Sequence, residues 1–115
     1  MSVIADRFSR IIRRFNNNLI TIADRQQVLR TDIRFIDDTR LVAFEYTYFD
    51  TGRTKYSYQW MNTANELIHR WDNAHEVDLP TSPHHQHISS EDNVLPSEPM
   101  TLETVLTLIA DRLSA

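Results

Sequence analysis

The chain contains no cysteine, which removes disulfides, thiolate metal ligands and a cysteine nucleophile, and fits a reducing compartment such as the cytoplasm. It has one glycine, so no glycine-rich loop can cradle a phosphate. No apolar run approaches the ~20 residues that span a bilayer, and Met1 to Asn18 lacks the uninterrupted apolar core of a signal peptide. A soluble, unprocessed protein without a membrane partner is expected. Positive charge is also scarce: 12 Lys plus Arg against 16 Asp plus Glu leave a formal net charge of -4. No overall field gathers nucleic acid, so any RNA contact must be local. What remains is 115 residues, 41% hydrophobic and 24% charged, enough for a single domain, 1-115, around one core.

Ile4, Phe8, Ile11, Ile12 and Phe15 recur at helical spacing with arginines between them, which predicts an amphipathic helix from Ser2, its N-cap, to Asn16, stopped by Asn16-Asn17-Asn18. From Leu19 the residues turn β-branched, aromatic and alternating. Five strands are expected: Leu19 to Asp24, Val28 to Ile36, Arg40 to Phe49, Arg53 to Met61 and Glu66 to Trp71. Asp37-Asp38-Thr39, Asp50-Thr51-Gly52 and Asn62 to Asn65 are short turns, so neighbours run antiparallel. Asn73 to Pro99 loses all periodicity and holds the four prolines Pro80, Pro83, Pro96 and Pro99. Leu102, Val105, Leu106, Ile109 and Leu113 then predict a closing helix, Leu102 to Leu113, although Thr101-Leu102-Glu103-Thr104 lacks the Glu or Gln of a capping box. The expected fold is α+β: a five-stranded antiparallel meander sheet flanked by an N-terminal and a C-terminal helix, with a long His/Pro-rich loop before the last helix.

Alternation puts Leu41, Ala43 and Glu45 on one face of their strand and Val42, Phe44, Tyr46 and Tyr48 on the other. Both faces carry aromatics, so both need a cover, and a second copy in a homodimer is one candidate. Tyr56, Tyr58 and Trp60 form an aromatic stripe that suits cross-strand packing or base stacking. Glu45, inside an apolar face, needs a partner, for which Lys55 and Arg34 are the candidates.

Of the five histidines, His75, His84, His85 and His87 fall in the irregular stretch, and His69 precedes it. Three readings compete. His85 and His87, two apart in extended chain, point the same way with His84 opposite, and His75 could join them around zinc or nickel; the spacing matches no strong metal motif, and no metal or cofactor is expected. Alternatively, histidines act as acid and base beside Arg70 or Lys55, which suffices to cleave RNA without metal. In the plainest reading they fix the loop by hydrogen bonds to Asp72 or to carbonyls. Asp72 and Asn73 are good turn formers at the end of a strand, with His75 just beyond them.

The string Arg70-Trp71-Asp72-Asn73-Ala74-His75, then Pro83-His84-His85-Gln86-His87, then Pro96-Ser97-Glu98-Pro99 and a short terminal helix resembles the TumE family of toxin-antitoxin toxins. The strand Tyr56-Ser57-Tyr58-Gln59-Trp60 resembles that family's Tyr-x-Tyr-x-Trp run. The resemblance implies a small toxin, neutralised by a cognate antitoxin with a DNA-binding domain, and an RNA target. Chemistry then distributes the roles. His84, His85 and His87 supply acid and base, with Arg70 or Lys55 on the phosphate and Tyr58 and Trp60 stacking a base, while Asp72, Asn73 and His75 shape the turn behind them. The expected activity is that of a metal-independent endoribonuclease. The alternative is a non-catalytic protein-interaction module with a structural histidine loop.

Overall fold

The computed structural model describes residues 3–22 and 25–114. Ser2, expected to cap the first helix, and Asp24, expected to end the first strand, lie outside the described residues. The elements run α1 (Val3–Arg7), β1 (Ile12–Ile22), β2 (Gln26–Phe35), β3 (Arg40–Tyr48), β4 (Thr54–Met61), β5 (Leu67–Asp72), β6 (His85–Ile88), β7 (Val94–Pro96) and α2 (Leu102–Leu113). The strands form one seven-stranded sheet in chain order, and every neighbouring pair is antiparallel.

The expected count of five strands and the long first helix are therefore corrected. Helix α1 has 5 residues, too few to be stable by propensity. Ile4 and Phe8 still pack against the core. Of the remainder of the expected helix, Phe8 to Ile11 form a turn and residues 12–16 belong to β1, which pairs with β2 from Ile12↔Phe35 to Ile22↔Gln26. Ile11, Ile12 and Phe15 fit helical spacing, but two are β-branched, and the ladder with β2 satisfies a run of backbone groups that an isolated helix would hold only marginally. The asparagines at 16–18, expected as a stop, lie mid-strand opposite Asp32, Thr31 and Arg30. The expected irregular stretch also contains structure: β6 pairs with β5 and β7 with β6.

Turn chemistry holds the central meander. Asp38, Gly52 and Asn65 adopt positive φ of 71, 67 and 62°, the region that glycine and Asx residues tolerate. Asp37 Oδ1 accepts from Thr39 N at 3.0 Å, and Asn62 Oδ1 accepts from both Ala64 N and Glu66 N at 2.9 Å.

The sheet has two unlike faces. Ile33↔Leu41, Leu41↔Trp60 and Ala43↔Tyr58 are direct partners, so these side chains share a face. Across that face lies α2, burying Leu102, Val105, Leu106 and Ile109 in one cluster with Ile33, Phe35, Tyr58, Trp60 and Trp71. Each fully buried aliphatic side chain contributes about 1.5–3 kcal/mol. Helix α2 starts at a capping box after all: Thr101 accepts from Thr104 N, and the Thr104 hydroxyl accepts from Thr101 N at 2.8 Å. A threonine takes the place of the usual Glu or Gln. Glu45 also lies on the helix face. Its partner is neither Lys55 nor Arg34, which point to the other face, but the Tyr58 hydroxyl, which donates to Oε2 at 3.1 Å.

Candidate functional site

The second face gathers polar groups where β5 meets β6. Asp72 is paired with His85 and Arg70 with His87, so all four side chains rise from the side away from α2. All are largely withdrawn from solvent: Asp72 is 4%, His85 0% and His87 5% exposed. Beyond β5 the chain turns sharply, with Asp72 Oδ1 accepting from Ala74 N at 3.2 Å. Asn73 anchors the bend by accepting from Tyr56 N at 2.7 Å and donating to Thr54 O at 3.2 Å. This turn swings the exposed His75 ring to 5.0 Å from the His85 ring, centroid to centroid.

Asp72 is the hub. His85 Nε2 lies 2.9 Å from Oδ1, His87 Nε2 lies 3.7 Å from Oδ2, and Arg70 Nε donates to Oδ2 at 3.2 Å. The His85 contact has ion-pair distance without hydrogen-bond alignment, so Nε2 of both His85 and His87 is buried with no hydrogen-bond partner. Their other nitrogens are committed: His85 Nδ1 to Pro83 O at 2.9 Å and His87 Nδ1 to Glu91 O at 2.8 Å. A carbonyl only accepts, so each Nδ1 carries the proton and, in the neutral ring, Nε2 presents a lone pair. Arg70 is also committed, its fork closed on Glu91 at 2.6 Å and on Asp72.

Beside His75 opens a cleft of about 370 Å³ lined by Arg53, Lys55, Asn73, Glu76 and Pro83 among others. Among the described residues, neither Arg53 nor Lys55 enters an ion pair. Lys55 lies 5.8 Å from the Tyr48 ring centre.

The remaining expected site residues lie apart from this cluster. His84 points towards Tyr56, whose hydroxyl is 2.7 Å from Nδ1 and also accepts from Met100 N at 3.2 Å. Tyr58 and Trp60 lie under α2, 2% and 4% exposed, and present no free ring face. Conversely, Asp72 and His75, read from sequence as turn formers, occupy the centre, and Arg53 joins the cleft. The signal for Asp72 is its register opposite His85, visible only once β6 is recognised as a strand.

A model of the family described as Toxin TumE matches residues 2–113, nearly the whole chain. The chain belongs to the TumE toxin family. It is thus the toxin component of a toxin-antitoxin pair, with an antitoxin as its partner. No curated protein and no solved structure matches it. Among the described residues, no helix of the toxin is long and apolar enough to cross a membrane.

Proposed function

We propose that the toxin acts in the cytoplasm as an endoribonuclease whose reaction takes place in the cleft between Lys55 and His75. One observation carries this reading: an exposed imidazole backed by a buried carboxylate-histidine pair stands beside two cations that have no ion-pair partner among the described residues. The net charge of -4 makes such a local basic wall necessary for any RNA contact. In this scheme the proton of the ribose 2′-hydroxyl is taken at His75. The 2′-oxygen bonds to phosphorus, and the bond to the 5′-oxygen breaks, that oxygen being protonated from solvent in the open cleft. Lys55 and Arg53 stabilise the charge that builds on the phosphoryl oxygens. His85, His87 and Arg70 act from behind, holding the Asp72 carboxylate in place.

The test is incubation of purified toxin with RNA, scored for cleavage products, together with growth of cells expressing it. His75→Ala and Lys55→Ala should each abolish cleavage and growth arrest, while the thermal melt stays close to wild type because both side chains reach solvent. Growth arrest with intact RNA would sink the enzymatic reading.

A second reading has its own observation. The outer strand β1 exposes Leu19 at 56%, Ile20 at 48% and Ile22 at 48%, and among the described residues one of its edges has no strand partner. Such an edge is a template for strand addition. A non-catalytic toxin would act by pairing a target here, and the same edge is where an antitoxin bearing a DNA-binding domain, or a second copy of the toxin, would dock.

A further inference from the structure

We infer that Asp72, His75 and His85 form a binding site for a divalent first-row transition ion of the zinc class. One ligand atom from each lies within 4.8 Å of the others. Donors on a single tetrahedral ion, with bonds of about 2.0–2.1 Å, stand about 3.3 Å apart. The two buried donors, His85 Nε2 and Asp72 Oδ1, are 2.9 Å apart, so a small opening of the pair brings them to this spacing. His75, exposed on its turn, is free to close the remainder.

The hydrogen-bond pattern around His85 is the stronger argument. Its Nδ1–H is spent on the Pro83 carbonyl at 2.9 Å, which fixes the tautomer and aims the Nε2 lone pair inward. That lone pair is fully buried, has no hydrogen-bond partner, and faces a carboxylate oxygen. Two electron-rich atoms at this distance repel unless a cation stands between them. A proton on Nε2 would make the contact an ion pair, without the alignment of a hydrogen bond. A metal ion answers the repulsion from off the line of centres, bound to both. An imidazole Nδ1–H donated to a backbone carbonyl is also the usual outer support of a metal-bound histidine.

The same pattern recurs at His87, with Nδ1 on Glu91 O at 2.8 Å and Nε2 bare at 3.7 Å from Asp72 Oδ2. It lies on the carboxylate's other oxygen and serves as a reserve donor. The Ala74 amide and Arg70 orient the carboxylate.

Two nitrogens and one oxygen select against magnesium and calcium, which take oxygen donors, and favour zinc and its neighbours. Three protein donors leave a fourth position for water, and His75 itself lines the cleft. Water bound at that position, made acidic enough by the ion to release a proton to solvent, would leave a hydroxide that takes over from the His75 ring as proton acceptor in the RNA reaction. Binding itself does not depend on the toxin cutting RNA.

The experiment titrates cobalt into untagged, chelator-treated full-length toxin, following the visible absorption of the bound ion, and then displaces it with zinc. One ion per chain is expected. His75→Ala, at an exposed position, should weaken binding by about tenfold or more with an unchanged metal-free melt, whereas Lys55→Ala should bind as wild type. Asp72→Asn should lose the ion as well. No uptake by the wild type, or full affinity surviving in His75→Ala, overturns the site. RNA cleavage measured on the same samples separates the two readings. Uptake without cleavage removes the endoribonuclease and keeps the ion, and cleavage without uptake does the reverse.

Discussion

His69 and His85 are both buried strand residues with one ring nitrogen left without a hydrogen bond, yet they lie on opposite faces of the same sheet. His69 lies on the helix face, its ring stacked on Trp71 at 3.8 Å and Nε2 bound to Gln86 Oε1 at 2.7 Å. Burial, reinforced by the nearby charge of Arg112, holds its pKa below the ordinary histidine value. It is kept neutral and works as a flat, half-apolar ring. His85 lies on the far face with its bare nitrogen against Asp72. Burial alone makes a structural histidine; burial against a carboxylate makes a candidate site.

This division predicts that stability and toxicity separate by face. Leu106, fully buried under α2, should cost about 2–5 kcal/mol when cut to alanine, measured by urea unfolding. His75→Ala on the far face should cost under about 0.5 kcal/mol while abolishing arrest. A large loss of stability from His75→Ala would erase the distinction, since the far face would then be part of the core.

How much of this was legible beforehand follows the same division. Strands β2 to β5 and helix α2 announce themselves because their inward positions are apolar at the right period, as with Leu41, Ala43 and then Val105, Leu106, Ile109. Strand β6 does not, because its buried residues, on the face away from α2, are His85 and His87. Polar residues at buried positions leave no alternation to read, and β7 has only 3 residues. The first helix failed for the opposite reason: Ile11, Ile12 and Phe15 satisfy a helical spacing whose competitor, pairing with β2, is non-local. At the site, the shared direction of His85 and His87 was readable from their two-residue spacing. The centrality of Asp72 was not, because it depends on the β5–β6 register.

The next sharpest contrast is in pH. The folded chain resists protonating His69, so between its lowered pKa and the unfolded value near 6.5 the unfolded state binds more protons. Stability from this group is complete above pH 6.5 and is lost as pH falls through that window, by at most about 1.4 kcal/mol per pH unit. Urea unfolding of wild type and His69→Gln between pH 7.5 and 5 isolates the term: the substitution should flatten part of the slope. An unchanged slope would mean that His69 does not carry the acid sensitivity, and the helix face would lose its role in the comparison.

Glu45 tests the same face with the opposite sign and the smallest effect. Desolvation under α2 raises its pKa, partly offset by the Tyr58 hydroxyl that donates to it. Here the folded state binds more protons than the unfolded state, starting from the ordinary value of 4.5. Its contribution is therefore fully present below pH 4.5 and declines as pH rises through the folded pKa. Glu45→Gln keeps an acceptor for Tyr58 and removes the charge, so at neutral pH the variant should gain a few tenths to about 1 kcal/mol. That gain should vanish near pH 4, where wild-type Glu45 is protonated in both states. Toxicity should not change, because Glu45 faces α2 and the cleft lies across the sheet. A Glu45→Gln toxin that is more stable yet inactive would place function on the helix face, where the buried carboxylate would be the group to explain.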